Sequence, residues 1–241
     1  MNLLPLLATV ALTASLPGAD NWMVDPAAAR AIRADSLRNN PAAFAPVTDD
    51  PALSRVLLIG DSISIGYTPA VRELLRGVAN VHRIPDNGGA TSLALLMLDE
   101  WLGDGHWDAI HFNFGLHDVT RVPPDTVRTL PDVYAENLRR IVARLQKTGA
   151  QLIFATTTPV PGHTQNPTRE AADVIEFNRR AVALMTELGV PVDDLYANAK
   201  PRLAEFQVPS NVHFTGEGYR ALAKPVATAI RQALTRPQIQ K

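Results

Sequence analysis

From residue 55 to about residue 235, short apolar runs alternate with segments of helical periodicity, and this alternation restricts the fold more than any other feature of the chain. "RVLLIG" (55–60), "NVHRIP" (80–85), "DAIHFNFG" (108–115), "QLIFATTT" (151–158) and "PVDDLY" (191–196) read as strands. Between them lie "TPAVRELLRGVA" (68–79) with Pro69 near its start, "TSLALLMLDEWLG" (91–103), "LPDVYAENLRRIVARLQKTG" (130–149) closed by Gly149, and a segment near 168–188; a last helix covers about 216–235. Helices of about ten or more residues between strands act as crossovers, which join parallel strands, whereas antiparallel pairs need only tight turns. The strands are continuously apolar rather than alternating, as they must be when helices cover both faces. The expectation is a single α/β domain, a three-layer α/β/α sandwich around a five-stranded parallel sheet.

That domain begins at about residue 51 and runs to the end at 241, preceded by an extension at 20–50. Within the extension, "DPAAARAIRADSLRNN" (25–40) reads as a short helix and "PAAFAPVTDDPALS" (41–54) as a loop leading into the first strand. Residues 3–16, "LLPLLATVALTASL", are uncharged and apolar, too short for a membrane span and of the length of a secretory signal core. Cleavage after Ser15 or Ala19 fits small-residue rules, so residues 1–19 are expected to be a signal and the protein to be secreted or periplasmic, without stable membrane insertion.

With 23 Lys+Arg against 24 Asp+Glu and no run of like charge, nothing in the chain marks a nucleic-acid partner. Cysteine is absent, which removes disulfides, thiolate metal sites and cysteine nucleophiles. His82, His106, His111 and His163 show no metal-ligand spacing, and no glycine-rich phosphate loop is present, so neither metal nor cofactor is expected. Trp101 and Trp107 read as core packing.

In parallel sheets of this kind, ligands bind at the carboxyl ends of the strands. Three polar clusters fall there: Gly60-Asp61-Ser62 after the first strand, "DNGGATS" (86–92) after the second and "GLHD" (115–118) after the third. Ser62 is the nucleophile candidate, and it needs a base and oxyanion donors to be useful. His213, in "NVHFTGEGY" (211–219) just before the last helix, is the base candidate. Taken singly, "GDS" also suits a helix cap and a loop histidine is more often structural. Asp61 is expected to brace its turn through backbone N–H groups, and Asp118 to hold its loop.

The four blocks together, in this order and spacing over about residues 54–235, resemble the SGNH/GDSL hydrolase superfamily. The resemblance implies a flavodoxin-like sheet, Ser62 as nucleophile, His213 as general base and a glycine of "NGGAT" as an oxyanion-hole backbone donor; alignment on the family's Gly-x-Thr pattern favours Gly89 over Gly88. Two positions depart from the pattern. The family's Gly-x-Asn-Asp reads Gly115-Leu116-His117-Asp118 here, so His117 stands where an amide would donate to the oxyanion, with Asn113 a nearby substitute. The family's Asp-x-x-His has Ser210 in place of the acid, leaving Asn211, a main-chain carbonyl, or Asp193 or Asp194 to orient the imidazole. The functional expectation is a serine esterase acting on small acyl esters, with O-acetyl carbohydrate the favoured substrate class. Lysophospholipase or thioesterase activity on the same fold, and a catalytically silent glycan-binding module, are the alternatives.

Overall fold

Five of the apolar runs form the strands of one sheet in the computed structural model, which describes residues 23–122, 125–161, 163–165 and 168–236. The apolar run at 3–16 and its two expected cleavage positions lie outside the described residues. The strands are β1 (Ser54–Ile59), β2 (Ala79–Arg83), β3 (Ala109–Phe112), β4 (Gln151–Ala155) and β5 (Val192–Asp193). They pair in parallel in the order β2-β1-β3-β4-β5, the flavodoxin-like order. Register sets apolar residue beside apolar residue: Val56 faces Val81 and Ala109, and Ile110 faces Leu57 and Leu152. Val56, Leu58, Ile59, Ile110 and Phe112 have no exposed surface, which requires cover on both faces.

That cover comes from α3 (Ser62–Leu74) and α9 (Gly216–Leu234), which pack on each other, and from α4 (Thr91–Leu102), α5 (Pro131–Gln146) and α6 (Ala171–Glu187), which pack in sequence as the other layer. The chain winds from β1 to β2 through α3, then returns past β1 to β3 through α4. Right-handed crossovers in opposite directions place the two helix layers on opposite faces and open a crevice at the carboxyl ends of β1 and β3.

The expected extension contains α1 (Pro26–Asn39) and, at the start of the stretch expected to be a loop, the one-turn helix α2 (Pro41–Phe44), begun by Pro41 at its first position; they pack against α4 and α3 respectively. Asp25 caps α1 by accepting from Ala27 N at 2.9 Å. After β5 come two short helices, α7 (Leu195–Ala199) and α8 (Leu203–Phe206).

Three expectations need correction. The helix placed at 68–79 begins at Ser62, and Pro69 lies inside it. Ser, Ile and Gly are weak helix formers, but Asp61 accepts from Ile63 N at 2.9 Å and starts the helix directly behind β1. Pro69 deprives the ladder of one N–H, and next to it Thr68 Oγ1 donates to Ser64 O at 2.7 Å. The strand read at 191–196 pairs only at Val192–Asp193, because Asp194 turns to cap α7 through Ala197 N. Two antiparallel ribbons, Arg121–Val122 with Thr126–Val127 and His163–Gln165 with Thr168–Glu170, had no counterpart in the sequence reading.

Candidate active site

Ser62 is the first residue of α3 and sits where β1 ends, with Asp61 as the helix cap. The first N–H groups of a helix have no intrahelical acceptor; that of Ile63 is taken by Asp61, and that of Ser62 opens the helix at the sheet edge. The turn is tight: a Cβ on Gly60 would lie 2.0 Å from Asn113 Oδ1, so only glycine admits the loop after β3 this closely. Asp61 is 2 % exposed. Burial pushes its carboxyl upward in pKa, against the Ile63 N–H bond, a hydrogen bond from the Asn113 side chain and the charges of Arg169 and His213.

His213 reaches the same place from near the other end of the chain. Its Nε2 lies 2.9 Å from Ser62 Oγ across 151 positions of sequence. The loop carrying it is pinned on both sides: Val208 N donates to His213 O at 2.9 Å, and Thr215 caps α9 through Gly218 N at 3.1 Å. Ser210, where the acid was expected, occupies the left-handed region at φ 56°. The resulting turn, closed by Asn211 N donating to Val208 O at 3.1 Å, brings Asn211 back onto the imidazole.

Asn211 Oδ1 accepts from the His213 main-chain N–H at 3.0 Å and lies 2.7 Å from His213 Nδ1. The main-chain donor fixes the amide with its oxygen toward the ring, since the flipped amide would set N–H against N–H. An oxygen acceptor at Nδ1 holds the proton there and leaves the Nε2 lone pair for the serine hydroxyl. This is the tautomer a general base needs, set by a neutral group. Burial lowers the His213 pKa below 6.5, the Asp61 charge opposes this and the Arg169 charge adds to it, so the ring is neutral at pH 7.

Asp193 and Asp194, two of the candidate acceptors, are engaged elsewhere. Asp193 Oδ2 lies 3.0 Å from His111 Nε2 in the core, and Asp194 caps α7. Asn113, the substitute oxyanion donor, has its side chain bonded to Asp61.

The expected oxyanion donors of the second block lie in the loop after β2. Gly88 N donates to Gly60 O at 3.0 Å, so its N–H is already committed to the serine turn. Gly89 adopts φ 60°, a left-handed backbone that glycine alone takes at no cost, and its N–H makes only a 3.3 Å contact with Asn87 Oδ1. Of the two glycines, Gly89 has the N–H that a developing charge could recruit. His117 is 4 % exposed. Burial, then the charges of Arg169, Arg128 and His213, hold its pKa well below 6.5, so an N–H donated from this ring is neutral.

Asp118, as expected, holds its loop. Its carboxylate accepts from Thr91 N at 3.1 Å and Thr91 Oγ1 at 2.6 Å, tying "GLHD" to the first turn of α4 that follows "NGGA". Sequence reasoning missed Arg169, whose Nε donates to Leu116 O at 2.6 Å and whose charge acts on Asp61, His117 and His213. A single arginine on a short ribbon gives no periodic or motif signal. Among the described residues no group of three or more His, Asp or Glu could hold a metal ion, and no helix is long and apolar enough to cross a membrane.

Residues 58–221 match the family model for the GDSL-like lipase/acylhydrolase family. The chain belongs to that family. No curated protein sequence matches it. Among solved structures, the GDSL-like fold is shared with a lipase/acylhydrolase from Enterococcus faecalis (TM-score 0.64, 21% identity, 78% of this chain and 100% of that one). It is also shared with the acetyl xylan esterase AlAXEase (0.63, 17%, 73% and 99%) and with Axe2, an acetylxylan esterase from Geobacillus stearothermophilus (0.60, 19%, 78% and 97%). Membership of the GDSL-like family makes ester hydrolysis the chain's class of chemistry.

Proposed function

We propose that the protein is an exported serine esterase that removes small acyl groups, with O-acetylated carbohydrate as its substrate class. The observation that carries the reading is the Ser62 Oγ to His213 Nε2 distance of 2.9 Å, with Nδ1 held by Asn211. Ser62 Oγ attacks the ester carbonyl carbon while its proton passes to Nε2. The Ser62 and Gly89 N–H groups and the neutral His117 ring donate to the oxyanion. The tetrahedral species collapses, the C–O bond to the leaving alcohol breaks, and Nε2 returns the proton to that oxygen. Water then attacks the acyl-enzyme, its proton goes to Nε2 and on to Ser62 Oγ, and the carboxylic acid leaves.

The carbohydrate assignment is supported by the acetylxylan esterases among the fold's solved relatives and by the signal-like apolar run at 3–16. The rival reading, a glycan-binding module without turnover, draws on the Ser210 position alone. Hydrolysis of p-nitrophenyl acetate and labelling by a serine-directed organophosphonate separate the two. The esterase reading expects turnover, one label on Ser62, and a loss of at least about 10³-fold in Ser62→Ala. Equal rates in the wild type and Ser62→Ala would end it. Acetate release from a panel of acetylated glycans then tests the substrate class.

A further inference from the structure

The family match begins at residue 58, yet the segment well before it touches the loop that carries Gly89, through Met23 and α1, and the end of β2 that leads into that loop, through α2. Three contacts converge there. Met23 O accepts from Ala90 N at 3.1 Å and would lie 2.9 Å from a Cβ on Gly89, so the arm's first described residue fixes the peptide that follows the oxyanion glycine. Arg33 of α1 forks onto Asp86, Nε to Oδ1 at 2.7 Å and Nη2 to Oδ2 at 2.8 Å. Phe44, the last residue of α2, lies 4.7 Å from the guanidinium of Arg83, which itself donates to Ile84 O, Asp86 O and Gly60 O.

Asp86 is 1 % exposed and also accepts from Trp101 Nε1 at 2.7 Å. A buried carboxylate with a two-pronged arginine and an indole donor has little freedom, and it begins the "DNGGA" turn. Arg83 ties the same turn to the Gly60 carbonyl, next to the nucleophile. A left-handed glycine whose N–H must meet a developing charge within a few tenths of an ångström gains from a rigid support on its outer side.

From these contacts we infer that the N-terminal arm, through Arg33 on Asp86 and Met23 on Ala90, holds the Gly89 loop in the geometry that receives the oxyanion. Arg33 is a positioning residue and touches no substrate. The inference rests on the esterase reading for its kinetic part and on the loop contacts for its structural part.

The test compares Arg33→Ala with Arg30→Ala, which removes the more exposed Arg30–Glu100 pair from the same helix and leaves in place the bonds of Arg33 to Asp86 and, through Nη2 at 2.9 Å, to Glu100. On p-nitrophenyl acetate well below the melting temperature, Arg33→Ala is expected to lower kcat about tenfold to a hundredfold with KM changed less than about twofold. Arg33→Lys, which keeps charge and stem but loses the fork, is expected to fall between. Arg30→Ala is expected to match the wild type. In parallel, hydrogen exchange at the Ala90 amide is expected to quicken in Arg33→Ala and not in Arg30→Ala. Wild-type kcat in Arg33→Ala, or unchanged exchange at Ala90, overturns the inference. Should the wild type lack turnover altogether, the esterase reading has failed and exchange alone decides whether the arm holds the loop. If Arg33→Ala does not fold, Arg33→Lys carries both measurements.

Discussion

Asn211 does with a neutral oxygen what a carboxylate would do with charge. An anion at Nδ1 stabilises imidazolium and raises its pKa, whereas an amide fixes the tautomer without that attraction. With burial lowering the His213 pKa below 6.5, the acid limb of the kcat/KM profile is expected to have its midpoint below pH 6.5: activity rises with pH as Nε2 loses its proton. Asn211→Asp is expected to move that midpoint upward, by less than a buried carboxylate would, the side chain being exposed and its charge partly screened. A midpoint that stays put or moves down would show that residue 211 does not act on the ring. Asn211→Ala is expected to cost about 10²-fold in kcat, less than loss of an acid that also stabilises charge. The sequence exposed Ser62 and His213 through their blocks, and it named Asn211 only as one of several acceptors. The choice depended on the left-handed turn at Ser210, which a serine does not advertise.

The loops at the sheet edge act as a set because their glycines and carboxylates bind them to one another. Gly88 N to Gly60 O joins the second block to the first, and Asp118 to Thr91 joins the third to the second. Burial lifts Asp118 to about 6 despite its hydrogen bonds, above the 3.8 of a free carboxyl. A native pKa above the unfolded one means that the folded state binds more protons between about pH 4 and 6, so stability falls as pH rises through that window. The gap of about two units corresponds to about 3 kcal/mol. Denaturant unfolding at pH 4 and pH 7 is expected to show the wild type losing more stability over the interval than Asp118→Asn, which cannot titrate. Parallel losses in the two proteins would contradict the shift. At this scale the strands were legible because continuous apolar runs have few other uses, and α1 was legible from Asp25-Pro26 at its start. The start of α3 was not, because "SISIGYT" has the local preferences of an extended chain and only the cap at Asp61 outweighs them. The two ribbons and the Arg33–Asp86 pair were not either: two- and three-residue strands leave no period, and a pair 53 positions apart leaves no spacing to read.

Across the whole molecule, the proposed nucleophile opens one helix and the proposed base lies in the loop just before another, so the packing of those two helices is expected to set the distance between them. Ser62 opens α3, and His213 precedes α9 by a loop capped at Thr215. The two helices meet where Tyr219 lies over Gly66: a Cβ at Gly66 would fall 2.1 Å from Tyr219 Cε1 and 2.2 Å from Cζ. Gly66 therefore serves packing one turn from Ser62, and its helix cost of about 1 kcal/mol is the cost of bringing α9 close. Gly66→Ala is expected to push the start of α9 outward, lengthen the Ser62–His213 hydrogen bond and lower kcat by about tenfold or more, with about 1–3 kcal/mol lost in stability. A smaller residue opposite should relieve the clash. In Gly66→Ala/Tyr219→Ala, kcat is expected to recover toward that of Tyr219→Ala alone, so the two substitutions couple with opposite sign to simple addition. Additive losses in kcat would mean that helix packing at this contact does not set the separation of the two reacting side chains, which would then depend on the local loops alone.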